Sequence, residues 1–177
     1  VYGVITIAVV VLVPLTGILY YPEYGLTVRS TASFIAAGVV GSIFGLLLFY
    51  SSIERIGASR ATPIVASHAL IATVMAILFL GESVTIAHGV GIVLVVSGIA
   101  VIARETSERT RDDLARRQLL VGLGYPFGAA LAFGLEPIFA NFGFGMGTPA
   151  LVGIAIKTMT EWLGFTFFLW WREKPLT

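Results

Sequence analysis

Six stretches of this chain are long, apolar and nearly free of charge, and that restricts the fold more than any other feature. Residues Val1–Pro22, Ser30–Ile53, Ala61–Gly81, Ser83–Ala103 and Gln118–Leu135 contain no Asp, Glu, Lys or Arg. A sixth run, Pro149–Trp171, is interrupted only by Lys157 and Glu161. A bilayer core about 30 Å thick takes roughly 20 apolar residues of helix. Backbone in lipid must satisfy its own hydrogen bonds, and these runs are too long for barrel strands, so helices are predicted. The expected fold class is therefore an all-α membrane protein with about six transmembrane helices. Apolar residues make up 57% of the chain and charged residues 12%, too few charges to clothe a water-soluble surface.

The connections carry the orientation. Nine basic residues fall on one set of connections: Arg55 and Arg60, then Arg104, Arg109, Arg111, Arg116 and Arg117, then Arg172 and Lys174. The alternate connections hold only Arg29. Basic residues collect on the cytoplasmic side, which predicts a cytoplasmic linker over 105–117 and a cytoplasmic tail over 172–177 in a plasma-membrane protein. The linker, ETSERTRDDLARR, has mixed charge and reads as a solvated connection between halves. The net charge of +1 and the lack of a basic stripe give no reason to expect nucleic acid. There is no Cys and there are only two His residues, which leaves no pattern for a metal centre or a cofactor. Neither H-E-x-x-H nor G-x-S-x-G occurs, and the glycine loop at 143–147 lacks a P-loop lysine, so it reads as a tight helix–helix turn.

Similarity across the linker suggests a repeat. Gly3–Tyr24 and Ile154–Lys174 are both apolar spans that end in an aromatic pair, Tyr20-Tyr21 and Trp170-Trp171. If they correspond, each half has five helices, and an odd number inverts the second half. The chain opens inside an apolar run and stops just after another, so it is expected to be part of a longer protein.

Phe49-Tyr50, Ile56-Gly57-Ala58-Ser59-Arg60-Ala61, Pro63, Leu80-Gly81-Glu82, Gly91 and Gly98 follow in order over about residues 30–104. This series resembles the EamA-like permeases of the drug/metabolite transporter superfamily. The resemblance implies a ten-helix transporter of two inverted repeats that moves small organic solutes. It divides the chain into a first repeat at 1–104 lacking its first helix (helices at about 1–21, 31–53, 61–81 and 85–104), the linker 105–117, and the first two helices of a second repeat at 118–177 (about 118–142 and 149–171). Packing and capping account for several matched positions. Pro63 is expected in the first turn of its helix. Gly81 should break the chain, with Glu82, Ser83 and Thr85 capping the next helix. Gly38, Gly41 and Gly45, and Gly91 with Gly98, should keep helix faces thin.

Ionisable groups within spans are costly and call for a reason. Glu136, Lys157 and Glu161 stand out, with His68 as a further candidate on the solute or proton pathway. The expected layout puts Glu136 and Lys157 in nearly one layer, with Glu161 one turn deeper on the face of Lys157. Pro137 withholds a hydrogen bond from the Phe133 carbonyl. The expected function is secondary transport by alternating access, with protons through Glu136 among the candidate coupling ions. Two other readings stay open: a non-transporting membrane protein acting as an assembly or regulatory partner, or a nonfunctional truncated product. A wet cavity reaching Glu136 separates the carrier from the packing partner.

Overall fold

The computed structural model describes residues 2–81, 85–108 and 113–172, with side chains of 99–100, 102–121 and 171–172 excepted. All regular structure among them is helical: α1 (Tyr2–Tyr20), α2 (Val28–Ala37), α3 (Leu46–Ile56), α4 (Ala58–Ala66), α5 (His68–Met75), α6 (Ile86–Glu108), α7 (Asp113–Phe144) and α8 (Ala150–Arg172). Wide π-helical turns at Gly38–Gly45 and Ala76–Leu80 join α2 to α3 and extend α5. Five continuous helices, Tyr2–Tyr20, Val28–Ile56, Ala58–Leu80, Gly122–Phe144 and Ala150–Trp170, are long and apolar enough to cross a membrane. The protein is an all-α, multi-pass membrane protein. The fourth expected span, Ser83–Ala103, corresponds to α6, and Ile86–Gly98 is an apolar helical stretch within it. Both ends of the polar segment expected at 105–117 are helical, since α6 continues to Glu108 and α7 begins at Asp113.

The chain divides into two compact units. The first comprises residues 1–43 and 139–177, the second residues 44–138. In the first, α8 packs against α1 and α2. Phe34 is 1% exposed, and its ring fills a hollow where glycine is required. A Cβ at Gly143 or at Gly153 would lie 2.5 Å from its Cζ, while Phe144 closes the hollow with ring centroids 5.0 Å apart. The Trp162 indole N–H donates to the Thr6 hydroxyl at 3.1 Å, and the Tyr2 and Thr166 hydroxyls meet at 3.1 Å. At one end Thr148 Oγ1 donates to the Gly25 carbonyl at 2.9 Å, which ties together two connections that the charge pattern assigns to the same side. The 143–147 segment is a tight turn: the amides of Gly145, Met146 and Gly147 donate to the carbonyls of Asn141, Gly143 and Phe144, and Gly147 takes a φ of +86°.

In the second unit, Ile56, Ala61 and Ile64 form a core with Phe49, Ile53 and Leu123 around them. The Arg55 guanidinium lies 4.4 Å above the Tyr125 ring. Gly57 turns the chain between α3 and α4 with a φ of +83°, and Gly81 ends the next span at +68°. Thr85 Oγ1 accepts from the His88 amide, and His88 Nδ1 accepts from the Thr85 amide, both at 3.3 Å. Thr85 thus caps α6 as expected; Glu82 and Ser83 lie outside the described residues.

Two sequence expectations need correction. α4 begins at Ala58, so Pro63 stands inside the helix and not in its first turn. The glycine after Ile56 is the true start signal, because its positive φ ends one helix and opens the next with no intervening residue. The Gly91 and Gly98 positions face open space, with nothing within 4 Å of a built Cβ, so they do not serve a close helix contact among the described residues. Gly38 and Gly45 do: a Cβ at Gly38 would lie 3.0 Å from the Lys157 carbonyl oxygen, and one at Gly45 would lie 2.8 Å from Phe133.

Candidate functional site

The four sequence candidates separate into two places. Lys157 and Glu161 belong to the first unit, whereas His68 and Glu136 belong to the second.

Lys157 and Glu161 are one turn apart on α8, and Lys157 Nζ lies 3.3 Å from Glu161 Oε1. The same carboxylate oxygen accepts from the Ser42 hydroxyl, which the π-helical turn presents. Glu161 is only 13% exposed and Lys157 27%. A carboxylate drawn out of water is stabilised by an opposite charge together with a further donor. Both are present here. Sequence spacing foretells the ion pair; it holds no sign of Ser42, whose approach depends on the π-helical winding.

The second place is a cavity of about 530 Å³ lined by Phe49, Thr62, Val65, Ala66, His68, Phe133, Glu136 and Pro137. That volume falls within the range of small-molecule sites. Glu136 and Pro137 come from α7, Phe49 from α3, and the remainder mostly from the α4–α5 region. The continuous α4–α5 span tightens by one turn at Ser67 where it meets the cavity, with Ser67 still in the right-handed helical region. Pro63 lacks an amide hydrogen for the preceding turn, and the Ser67 amide and hydroxyl both turn back to the Ile64 carbonyl, at 3.1 and 2.6 Å. His68 follows this turn, and its Nδ1 lies 3.0 Å from the Val65 carbonyl oxygen. A carbonyl can only accept, so Nδ1 carries the proton and, in the neutral ring, Nε2 keeps its lone pair. The ring also meets Phe133 edge-on, with centroids 6.1 Å apart and planes at 68°.

Position along the spans explains why these two residues share a wall. His68 lies about 15 Å along its helix from Ala58, and Glu136 about 12 Å from the end of α7 at Phe144, at 1.5 Å per residue. Both are near the middle of a 30 Å core. Sequence alone, with helix ends a few residues off, puts His68 nearer the inner side and Glu136 nearer the outer. The cavity itself leaves one readable trace, a proline within each of the two helices that supply its polar wall. Among the described residues, no group of three or more His, Asp or Glu side chains could hold a metal ion.

The helices define a multi-pass membrane protein, and comparison narrows the class. Residues 1–104 match the EamA-like transporter family. The chain belongs to that family, whose members are membrane transporters. It is also similar to an Undecaprenyl-diphosphatase of Trichlorobacter lovleyi, 36% identical over 73 residues, or 41% of this chain. The matched segment spans 27% of that relative's length. No solved structure matches the chain.

Proposed function

We propose that this chain forms part of a secondary transporter that moves small organic solutes by alternating access, with the Glu136–His68 cavity as the solute site. The observation that carries this reading is the cavity itself: a carboxylate and an imidazole share its wall near mid-span. Carriers of this kind place substrate near the midplane beside irregular helix segments, and the span carrying His68 has a tightened turn at Ser67. The internal repeat supports rocking of two inverted five-helix halves, and Glu136 is the group through which protons would couple. The charge bias of the connections favours the plasma membrane with 105–117 and 172–177 in the cytoplasm.

A packing or regulatory partner would need no such cavity. An enzymatic reading in line with the Undecaprenyl-diphosphatase relative is disfavoured by the same wall. A diphosphate group calls for cationic groups or metal to meet its charge, and no Lys or Arg is among the described residues that line the cavity. Release of inorganic phosphate from undecaprenyl diphosphate by the purified protein would reverse that choice.

Accessibility tests the transport reading whatever the solute. The chain has no cysteine, so Thr62→Cys or Ala66→Cys introduces a single reporter on the cavity wall. Alternating access predicts labelling by a membrane-impermeant maleimide from either face of oriented vesicles. Labelling from one face alone overturns alternating access, and no labelling overturns a wet cavity.

A further inference from the structure

We infer that the cavity takes an aromatic solute whose ring carries a group that both donates and accepts a hydrogen bond, as a phenol does. This rests on the solute-site reading above and specifies its chemistry, and it draws nothing from the charge of Glu136.

Five of the eight lining residues, Phe49, Val65, Ala66, Phe133 and Pro137, are apolar. A sugar or other polyol would give up water at several hydroxyls against such a wall and find few partners in return. Three lining residues present rings, and each ring is held by its own neighbours. Phe133 lies so close to Gly45 that a Cβ there would stand 2.8 Å from it, and it meets His68 with centroids 6.1 Å apart. Phe49 tilts against Tyr50 with centroids 5.9 Å apart and packs on the core of Ile56, Ala61 and Ile64. His68 is fixed through Nδ1 by the Val65 carbonyl. Rings already ordered lose little freedom when a solute arrives. An aromatic solute gains edge and offset contacts with them beyond the area it buries, which a saturated ring of the same size does not.

The polar handle follows from His68. With Nδ1 engaged by Val65, the solute meets Nε2, an acceptor in the neutral ring and a donor in the protonated one. A hydroxyl satisfies either state, whereas a bare hydrocarbon satisfies neither. The Thr62 hydroxyl on the same wall also gives and takes hydrogen bonds.

Ala66→Cys on the cavity wall reports occupancy, because the chain has no cysteine of its own. In lipid nanodiscs, its labelling by a membrane-impermeant maleimide is timed against 4-methylphenol, 4-methylcyclohexanol, p-xylene and myo-inositol. The first three concentrations are referred to partition into protein-free nanodiscs, which removes bulk hydrophobicity. On that scale 4-methylphenol should protect about threefold or more better than its saturated counterpart and than p-xylene, and myo-inositol should not protect. His68→Phe should bring 4-methylphenol and p-xylene to within about twofold of each other while keeping the aromatic preference. Equal protection by 4-methylcyclohexanol overturns the aromatic assignment, and equal protection by p-xylene overturns the hydroxyl. Protection by myo-inositol, or by none of the four, overturns both. An undiminished gap between 4-methylphenol and p-xylene in His68→Phe removes His68 as the handle. The series is decided with His68 in place, so it holds even where that variant fails to fold. Two-sided labelling without the expected order removes only the solute class; one-sided labelling with that order removes transport and keeps the class.

Discussion

Two regions of this molecule place ionisable side chains within membrane-spanning helices and treat them differently. On α8, Glu161 is matched by Lys157 one turn away and by the Ser42 hydroxyl, within a contact tight enough that Gly38 has no space for a side chain. On α7, Glu136 lines an open cavity in company with an imidazole, a hydroxyl and two aromatic rings. Both carboxyl groups have protein partners; Glu161 sits within a helix contact, whereas Glu136 also borders a cavity. The cost of removing each should differ accordingly.

The closed region should show the largest loss of stability. Phe34→Ala empties the hollow between Gly143 and Gly153 and is expected to cost about 3–5 kcal/mol, measured by unfolding in detergent micelles. An unchanged unfolding midpoint would mean that the hollow collapses freely and that the contact is not rigid. Glu161→Gln takes the carboxylate from Lys157 in a largely buried setting, with an expected loss on the order of 3 kcal/mol. Replacing both partners, as Lys157→Met with Glu161→Gln, should recover most of that loss, because the cost lies in stranding one charge and not in the absence of the pair. If the double variant is worse than the single one, the pair does more than balance charge.

Glu136→Gln should lower solute flux in proteoliposomes about tenfold or more. A large stability loss with unchanged flux would make Glu136 a packing residue like Glu161 and erase the contrast. The smallest effect is expected at Gly91→Ala. Among the described residues that position faces open space on a helix, where alanine is favoured over glycine by up to about 1 kcal/mol. Gly38→Ala, by contrast, should destabilise, since its Cβ would press on the Lys157 carbonyl and Thr160. Destabilisation at Gly91 would reveal a close neighbour of α6.

Much of the architecture is legible in the sequence because its cause is local. Charge-free runs of about 20 residues suit no solvent but lipid, and the spans at Tyr2–Tyr20 and Ala150–Trp170 follow from them directly. The Lys157–Glu161 pair is legible for the same reason, since a spacing of four residues determines its geometry within one helix. Pro63 and Gly91 show where local reading fails. Pro63 is misplaced from sequence because the start of α4 is set by backbone geometry at Gly57. Gly91 misleads because a glycine spacing suited to close contact does not specify a neighbour.

Composition and periodicity alone determined that this is a helical protein of the membrane, that its basic residues gather on alternate connections, and which few ionisable residues need an account. Tertiary structure alone decided that Ser42 reaches Glu161, that Phe34 fits against two glycines, and that His68 shares a cavity with Glu136. The physical reason is range. Hydrophobic length and helical repeat act along the chain and leave their mark in residue order, whereas the meeting of two helices depends on their winding and ends, where a shift of three residues moves a side chain about 4.5 Å along the axis.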